Sequence, residues 1–525
     1  MYPSRTTRTI TQRQDGAAMM IMLVIMIIGT AAFLVSTLTN TALKIASDAQ
    51  TTDALSQARD ALIGYAASDS VRPGELPCPD FDNDGMITPN DYSGSNNCKS
   101  LIGWLPWKTL GLPELRDANG NHLWYAVSSP FHANGSAPLN SDTPINPAYA
   151  SSMLTVIDGV TAATLENNVI AILFAPGVPI INQTRSPSDN NAINSTPNYL
   201  EGDNANFDTR YQTANNMVTP SPSTIINDRL LTITYASLFP SVERRIARDV
   251  KNCLDAYAAS SVNNTYPWPA SITDTTYYPN RFGQTANLLG RIPEVINTGS
   301  PPPSGTLLAD LQNVQTAMNA YNNQTGSLSA LNSAGDALKD YAYSIGLSNT
   351  NPAVQAGILA DNCTGTSCIA SLTFQLNSAL GQWPTPSCSA LFTSPSSYWQ
   401  NWRDLVFYQI ASGYQPGGSA SPGLSPFPVT INNVGSYRAA VTIARQFLPS
   451  PYNTTRPYSP FTGTVDTAYL EGTNQHQTLP QTSPQTSPST NFITYNPSDS
   501  LHYLQVNDLV LCIDGKGINP NSVCP

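Results

Sequence analysis

The feature that most constrains this chain is a stretch of 22 residues, 17–38, that contains no charged side chain. As a helix rising about 1.5 Å per residue it would be about 33 Å long, enough to cross the ~30 Å hydrocarbon core of a bilayer. The preceding residues 1–16 contain three Arg and one Asp. Positive charge on that side keeps the N-terminus in the cytoplasm. The sequence therefore predicts a single-pass membrane protein whose residues 39–525 lie outside the cytoplasm.

The apolar stretch is longer than the core of a secretory signal peptide, which is usually about 7 to 15 residues. A short basic leader that ends in Gly16, followed by an apolar helix from Ala17, resembles a type IV prepilin or a type II secretion pseudopilin. The resemblance implies cleavage between Gly16 and Ala17 by a prepilin peptidase and methylation of the new N-terminus. It also implies packing of the apolar helix against other pilin or pseudopilin subunits. The alternative is a signal-anchor helix that is never cleaved.

The chain departs from that family at Ile21, the fifth residue of the implied mature form. Family members usually have Glu there, and its carboxylate is thought to pair with the terminal amine of a neighbouring subunit. An uncompensated charge in a low-dielectric bundle costs on the order of several kcal/mol. A subunit without this Glu therefore fits poorly in a repeating shaft, and members that lack it resemble minor pilins at the tip.

Composition favours an extracytoplasmic head. Charged residues make up 11% of the chain, compared with about 25% in typical soluble domains. The formal net charge is −11, and removing the leader, with its three Arg and one Asp, lowers it to −13. Nucleic acid is excluded as a partner, because phosphate binding needs clustered Lys and Arg. The expected location is the inner membrane, with a periplasmic or extracellular C-terminal region.

The eight cysteines are an even number in a compartment where disulfides persist. Spacing alone does not determine connectivity, but it makes three close pairs plausible and leaves a fourth by elimination. A zinc site at the C-x4-C motif of residues 363–368 would need four ligands, and neither a His nor a second close Cys pair is available to complete the set. The candidate pairs are Cys78 with Cys98, Cys363 with Cys368, Cys512 with Cys524 and, by elimination, Cys253 with Cys388.

Four short segments recur in the same order along the chain. Each match is weak alone, but their common order indicates a tandem duplication. The matching pairs are 58–68 with 247–260, 123–127 with 406–410, 199–202 with 469–472, and 226–231 with 506–511.

The predicted fold class is α+β: an N-terminal transmembrane helix followed by two tandem pilin-like heads, each a helix packed on an antiparallel sheet. The heads are assigned to residues 39–240 and 241–525, and the second contains a helical insertion near 305–385. The pilin plan would place Cys512–Cys524 around a C-terminal loop. Aromatic and β-branched runs between turn formers predict strands, and long polar stretches predict exposed loops. The strands are 123–127, 169–174, 230–235, 405–410, 439–444 and 508–513, and the loops include 182–197 and 473–490.

Residues 80–91 have the sequence DFDNDGMITPND, the pattern of a calcium loop. Such a loop takes carboxylates from positions 1, 3 and 5, a glycine at 6, a backbone carbonyl at 7 and an acidic residue at 12. Pro77 and Pro79 discourage the incoming helix of an EF-hand, so the loop is expected to be structural. The alternative is a solvated acidic turn. The candidate calcium ligands are Asp80, Asp82, Asp84, Met86, Thr88 and Asp91.

Other groups of candidate functional residues give weaker signals in the sequence. Trp104 and Trp107 could form a glycan-stacking surface, although such residues more often pack in a core. Glu201 and Glu471, each before a Gly, could be catalytic carboxylates, but their place in the repeat favours a structural turn. The four histidines, at 122, 132, 476 and 502, form no recognisable site.

Nucleophile-elbow, zinc-helix and phosphate-loop motifs are absent from the sequence. We therefore expect a structural subunit of a type IV pilus or type II secretion pseudopilus rather than an enzyme. Two alternatives remain: a cell-surface adhesin or glycan-binding protein on a signal-anchor helix, and an anchored extracytoplasmic hydrolase.

Overall fold

The computed structural model describes residues 15–261 except 95–96, 134, 181 and 216–224, and residues 264–446 except 273–280, 282, 284, 297–302, 395 and 419–428. Further on it describes residues 469–470, 474, 491–492 and 508–514. Within the first helix, side chains are described at Met20, at residues 22–27 and from residue 42 onward.

These residues form a mixed α/β chain. The helices are α1 Asp15–Ser68, α2 Ala192–Tyr199, α3 Tyr235–Ser260, α4 Gly305–Asn322, α5 Leu328–Ser344, α6 Pro352–Asp361, α7 Ile369–Leu380, α8 Pro386–Thr393 and α9 Trp399–Trp402. The strands are β1 Tyr92–Ser93, β2 Asn97–Cys98, β3 Ile102–Trp104, β4 Trp124–Val127, β5 Leu154–Ile157, β6 Thr164–Val169, β7 Ala171–Ala175, β8 Arg210–Gln212, β9 Arg229–Ile233, β10 Leu289–Arg291, β11 Val406–Ile410, β12 Val429–Ile431, β13 Val434–Tyr437, β14 Ala439–Ile443, β15 Asn491–Phe492 and β16 Leu509–Ile513.

Helix α1 differs in environment along its length. Near its start the side chains of Met20, Met22 and Leu23 are 70%, 73% and 59% exposed. Near its end the residues at helical spacing are buried against the first sheet: Leu55, Ala58, Leu62 and Ala66. Among the residues with described side chains, we find no helix with both the length and the apolar character needed to cross a membrane.

The first half of the chain contains a four-stranded antiparallel sheet in the order β3-β4-β7-β9 and a smaller sheet in the order β6-β5-β8. Side chains alternate between the two faces of the larger sheet. Tyr125 and Leu173 join the core that contains helix α1, whereas Trp124 and Phe174 face a second core with the smaller sheet. The large sheet is therefore a middle layer, buried on both sides.

The second half repeats this topology. Its larger sheet has the order β10-β11-β14-β16 and is antiparallel, and its smaller sheet has the order β13-β12-β15. In both smaller sheets the last strand pairs in parallel with the central one. Helix α3 contacts β14 and β16, as α1 contacts β7 and β9.

Individual contacts also repeat between the halves. The backbones of Asp80 and Trp104 exchange two hydrogen bonds of 3.0 Å, and those of Ala270 and Arg291 exchange two of 2.9 Å. The hydroxyl of Tyr125 donates to the carbonyl of Pro77, and the hydroxyl of Tyr408 donates to that of Pro267, each at 3.2 Å. The sequence matches did not include the Pro-x-Pro segments 77–79 and 267–269, which lie at equivalent positions.

The halves are joined rather than separate. The proposed boundary between residues 240 and 241 falls inside α3, and one continuous core contains side chains from both halves. Helices α4 to α7, which lie between β10 and β11 in the sequence, pack around a separate core of their own. This helical region continues to Thr393, slightly beyond the predicted 305–385.

The predicted loop 182–197 is wrong at its C-terminal end, where helix α2 runs from Ala192 to Tyr199. Asn191 caps this helix by accepting a hydrogen bond from the Asn194 backbone at 3.1 Å. Ala192, Thr196 and Tyr199 are buried, so packing overrides a composition that favours a loop. The predicted loop 473–490, apart from Asn474, lies outside the described residues.

Three disulfides lie within the described residues: Cys78–Cys98, Cys253–Cys388 and Cys363–Cys368, with Cα atoms 5.4, 5.6 and 5.6 Å apart. The second links α3 to α8 and so ties the helical region to the body of the head. Cys512 is also disulfide-bonded, while Cys524 lies outside the described residues.

Candidate metal centre

Three of the predicted calcium ligands converge at one point. Asp80, Asp82 and Asp84 each offer a carboxylate oxygen, and these three oxygens lie within 4.8 Å of one another. Asp80 is fully buried, Asp82 is half-buried and Asp84 is exposed, so the cluster opens to solvent on one side. Carboxylate oxygens around a pocket of this size are the ligands that Ca²⁺ prefers.

The backbone wraps around the Asp80 carboxylate. Its Oδ1 accepts hydrogen bonds from the backbone N–H groups of Asp82 at 3.1 Å and Asn83 at 2.7 Å. Its Oδ2 accepts one from Gly85 at 2.7 Å. Gly85 has φ +80°, and a Cβ there would lie 2.6 Å from the indole nitrogen of Trp107. Only glycine fits this turn, because of both its backbone conformation and the covering indole.

The electrostatics of the loop fit a cation. Burial raises the pKa of Asp80 to about 7, against the lowering effect of the Gly85 and Asn83 backbone hydrogen bonds, and the charges of Asp91 and Asp84 raise it further. The Oδ1 atom of Asp82 is buried and accepts no hydrogen bond from any described residue. A bound Ca²⁺ would contact such an oxygen and offset the repulsion, so the residues present fit the ion.

The later positions of the loop have other roles. Asp91 is fully buried, and its two oxygens accept hydrogen bonds from the backbones of Phe81 and Thr88 at 2.6 Å each. The Thr88 hydroxyl also bonds to Asp91, closing the cap of a single 3-10 turn. Met86 donates its backbone N–H to Asp84 at 2.7 Å. Asp80, Asp82 and Asp84 would therefore hold the ion, with the Met86 carbonyl as a further candidate, while Thr88 and Asp91 shape the loop.

The segment 105–110 braces this loop, a role that the sequence did not reveal. The Gly85 carbonyl accepts the backbone N–H of Lys108 at 2.8 Å, and the hydroxyl of Thr109 accepts that of Ile87 at 2.8 Å. The Lys108 ammonium donates to the Asp84 carbonyl. Since Trp107 packs over Gly85, its indole supports the acidic loop.

A second contact holds the loop through His122. The Asn83 side-chain oxygen lies 2.7 Å from His122 Nδ1, and His122 Nε2 bonds to Glu114. Burial lowers the pKa of His122 despite the Glu114 contact. Its role is therefore that of a bracing side chain. His132 bonds to the Ala133 carbonyl, while His476 and His502 lie outside the described residues.

Trp104 packs in the core. It is 1% exposed, and its ring centroid lies 4.7 Å from that of Trp124 and 6.2 Å from that of Tyr199. In the second half Arg291 takes the equivalent place, with its guanidinium carbon 3.7 Å from the Phe407 centroid and 4.8 Å from that of Tyr469. A glycan could not stack on Trp104 in this arrangement.

Glu201 belongs to a buried carboxyl pair with Asp228. Asp228 Oδ2 accepts hydrogen bonds from the Glu201 backbone and the Asn204 amide, each at 3.0 Å. Burial and then the charge of Glu201 raise the pKa of Asp228 well above its usual range. In the second half Asn474 donates to Asp508 at 2.9 Å, and Glu471 lies outside the described residues. These contacts join a loop to the start of β9 or β16, as expected for a structural turn.

Comparison with known proteins identifies no relative: neither a family model, nor a curated protein, nor a solved structure matches the chain.

Proposed function

We propose that this protein is a membrane-anchored, prepilin-like structural subunit of a type IV pilus or type II secretion pseudopilus. Residues 17–38 would anchor it in the inner membrane, and the head would lie on the periplasmic or extracellular side. A prepilin peptidase would cleave after Gly16, and other pilin or pseudopilin subunits would pack against the exposed helix.

The observation that carries this proposal is the division of helix α1. One uninterrupted helix, Asp15–Ser68, runs from the charge-free segment into the head. Its start exposes apolar side chains such as Met22, 73% exposed, and Ile25, 64% exposed, whereas Ala58 and Leu62 near its end are fully buried. Exposed apolar surface of this kind needs lipid or a partner helix to cover it.

The absence of Glu at Ile21 supports a minor position, such as the tip, over the repeating shaft. In that role the mechanism is mechanical. The apolar helix holds the subunit in the membrane until assembly, and the disulfide-bonded head faces outward. A Ca²⁺ at Asp80, Asp82 and Asp84 would rigidify the first half of the head.

The N-terminus provides the test of this proposal. We expect intact-mass spectrometry of the full chain, co-expressed with a prepilin peptidase, to find a mature form that begins at methylated Ala17. Without the peptidase, or with Gly16→Leu, the chain should keep Met1. A chain that keeps Met1 in the presence of an active peptidase, or that is cut after residue 38, would overturn the proposal and favour the adhesin or hydrolase alternatives.

The calcium site has its own test. We expect 10 mM Ca²⁺ to raise the melting temperature of the full chain by about 2 to 4 °C relative to a chelator, as for a site with a Kd near 0.1 mM in a large domain. Asp82→Ala with Asp84→Ala should abolish the rise. Asp158→Ala with Asp203→Ala serves as the matched control and should retain it, and Mg²⁺ should have a smaller effect. No response of the unmodified chain to Ca²⁺ would exclude the site.

A further inference from the structure

A second candidate site lies on the first half of the head, outside the acidic loop. A cavity of about 440 Å³ opens between the segment that leads into β3, helix α2 and the turn before β8. Its floor is apolar and buried, with Ile102 2% exposed, Leu154 3% and Tyr211 2%. Its volume is within the range of small-molecule sites.

Exposed apolar side chains surround its mouth. Leu101, Ile193 and Phe207 are 39%, 46% and 43% exposed, and all three line the cavity. They are three of the ten large apolar side chains that are exposed among the described residues after helix α1. Single exposed apolar residues are ordinary, but their convergence on one cavity favours a binding surface.

Phe207 is held at this mouth against its backbone preference. Its φ is +60°, a left-handed conformation that costs a residue with a Cβ about 1 to 2 kcal/mol. Asp208 fixes the turn by accepting the Arg210 backbone N–H at 2.7 Å and the Asn206 amide at 2.9 Å. Phe207 is 43% exposed, so a ligand that covers its ring would bury further apolar surface and help to offset this cost.

The polar groups at the cavity indicate the charge of the ligand. The Lys99 ammonium lies 3.8 Å from the Phe81 ring centroid, and no described carboxylate lies within ion-pair distance of it. Both oxygens of Asp208, the acidic residue at this cavity, already accept hydrogen bonds. Ser129 and Ser151 also line the cavity, and a serine hydroxyl can donate a hydrogen bond. Asp208 keeps its negative charge, but its two oxygens already accept hydrogen bonds, which leaves the Lys99 cation and the serine hydroxyls as the groups at the cavity that can bind an anionic or carbonyl acceptor.

We propose that this cavity binds a small amphipathic carboxylate, with its apolar body between Leu101, Ile193 and Phe207 and its carboxylate at Lys99. The proposal is independent of the pilus assignment, because it depends only on the folded head. Such a site would give the head a ligand-binding capacity in addition to its proposed role as a structural subunit.

Photo-crosslinking of the full chain with 4-benzoylbenzoate, an aromatic carboxylate, tests the proposal. We expect saturable labelling that peptide mass spectrometry places on the segments around Leu101, Ile193 and Phe207. Neutral benzophenone should label these segments less at equal concentration. Labelling spread over the chain without saturation, or confined to other segments, would overturn the proposal.

Two substitutions separate charge from shape. Lys99→Gln should raise the half-saturating concentration of 4-benzoylbenzoate about tenfold and leave labelling by benzophenone unchanged, whereas Lys108→Gln, at the acidic loop, should change neither.

Phe207→Gly should weaken labelling by both probes at least fivefold, while Val160→Gly should not. Because glycine accepts a φ of +60°, Phe207→Gly should fold at least as stably as the parent, so its loss of labelling would not reflect misfolding. Labelling that neither Lys99→Gln nor Phe207→Gly reduces would contradict the site.

Discussion

At the scale of single residues, the raised pKa of Asp228 has a measurable consequence. The side chain is fully buried beside Glu201, so the folded protein favours its protonated form. A carboxyl whose folded pKa is raised contributes stability that is complete below its unfolded pKa, about 3.9, and is lost as the pH rises through the folded pKa. The stability contributed by Asp228 should therefore fall with increasing pH.

Asp228→Asn replaces the protonated acid with a neutral group of the same shape. Its oxygen can still accept the hydrogen bonds from Glu201 and Asn204, each 3.0 Å long in the parent. We expect the melting temperature of the variant, minus that of the parent, to increase steadily from pH 5 to pH 8. Asp228→Ala should show the same trend with pH but should be less stable than Asp228→Asn by about 1 to 3 kcal/mol at every pH, because two buried donors lose their acceptor.

The control is Asp158→Asn, at an exposed carboxylate whose pKa is lowered by hydrogen bonds from Thr161 and Val160. Its difference from the parent should not increase with pH. A constant difference between Asp228→Asn and the parent across the pH range would show that Asp228 is ionised in the folded protein.

At the scale of elements, the residues that follow the two Pro-x-Pro segments, Asp80 and Ala270, approach the edge strands so closely that glycine is required there. A Cβ on Gly103 would lie 2.5 Å from the Asp80 carbonyl oxygen, and a Cβ on Gly290 would clash with that of Ala270. Each approach is held by a pair of backbone hydrogen bonds. We expect Gly103→Ala and Gly290→Ala each to lower the free energy of unfolding by about 1 to 3 kcal/mol in urea denaturation.

Gly64 in helix α1 is the matched control, since no atom lies within 4 Å of a Cβ built there. Gly64→Ala should stabilise the protein by about 0.5 to 1 kcal/mol. Gly103→Ala should also weaken any Ca²⁺ response, because it displaces Asp80, whereas Gly290→Ala should leave that response intact. Equal effects of all three substitutions would show that close approach does not explain these glycines.

Sequence reasoning located some elements because local composition encodes them. The runs at 123–127 and 406–410 are aromatic and β-branched, and strands β4 and β11 lie there. Short strands such as β3 and β10 were not predicted, since their glycines serve contacts between distant segments. The convergence of Asp80, Asp82 and Asp84 could be predicted from their spacing. The support from Trp107 could not, because it depends on a contact with Gly85, which is 22 residues away in the sequence.

At the scale of the whole molecule, a duplicated sequence would suggest two independent domains, yet the contacts join them. Ser141 of the first half donates to Glu243 of α3 at 2.8 Å, and Arg445 of the second half donates to the same carboxylate at 2.7 Å. Glu243 is fully buried and Arg445 is 8% exposed. With one continuous core across both halves, neither half can unfold without exposing apolar surface of the other.

This coupling predicts how the head unfolds. We expect calorimetry of the full chain to find both halves in one transition, with Gly103→Ala and Gly290→Ala each shifting that same transition although they lie in different halves. Glu243→Ala, which removes the buried carboxylate that Ser141 and Arg445 both contact, should lower the stability of the joined unit by about 3 to 5 kcal/mol. The helical region α4 to α7, with its own core and the Cys363–Cys368 disulfide, should be the part able to open separately in hydrogen exchange. Two transitions, each shifted by only one of the glycine substitutions, would mean that the halves are independent domains and that the shared core contributes little to their stability.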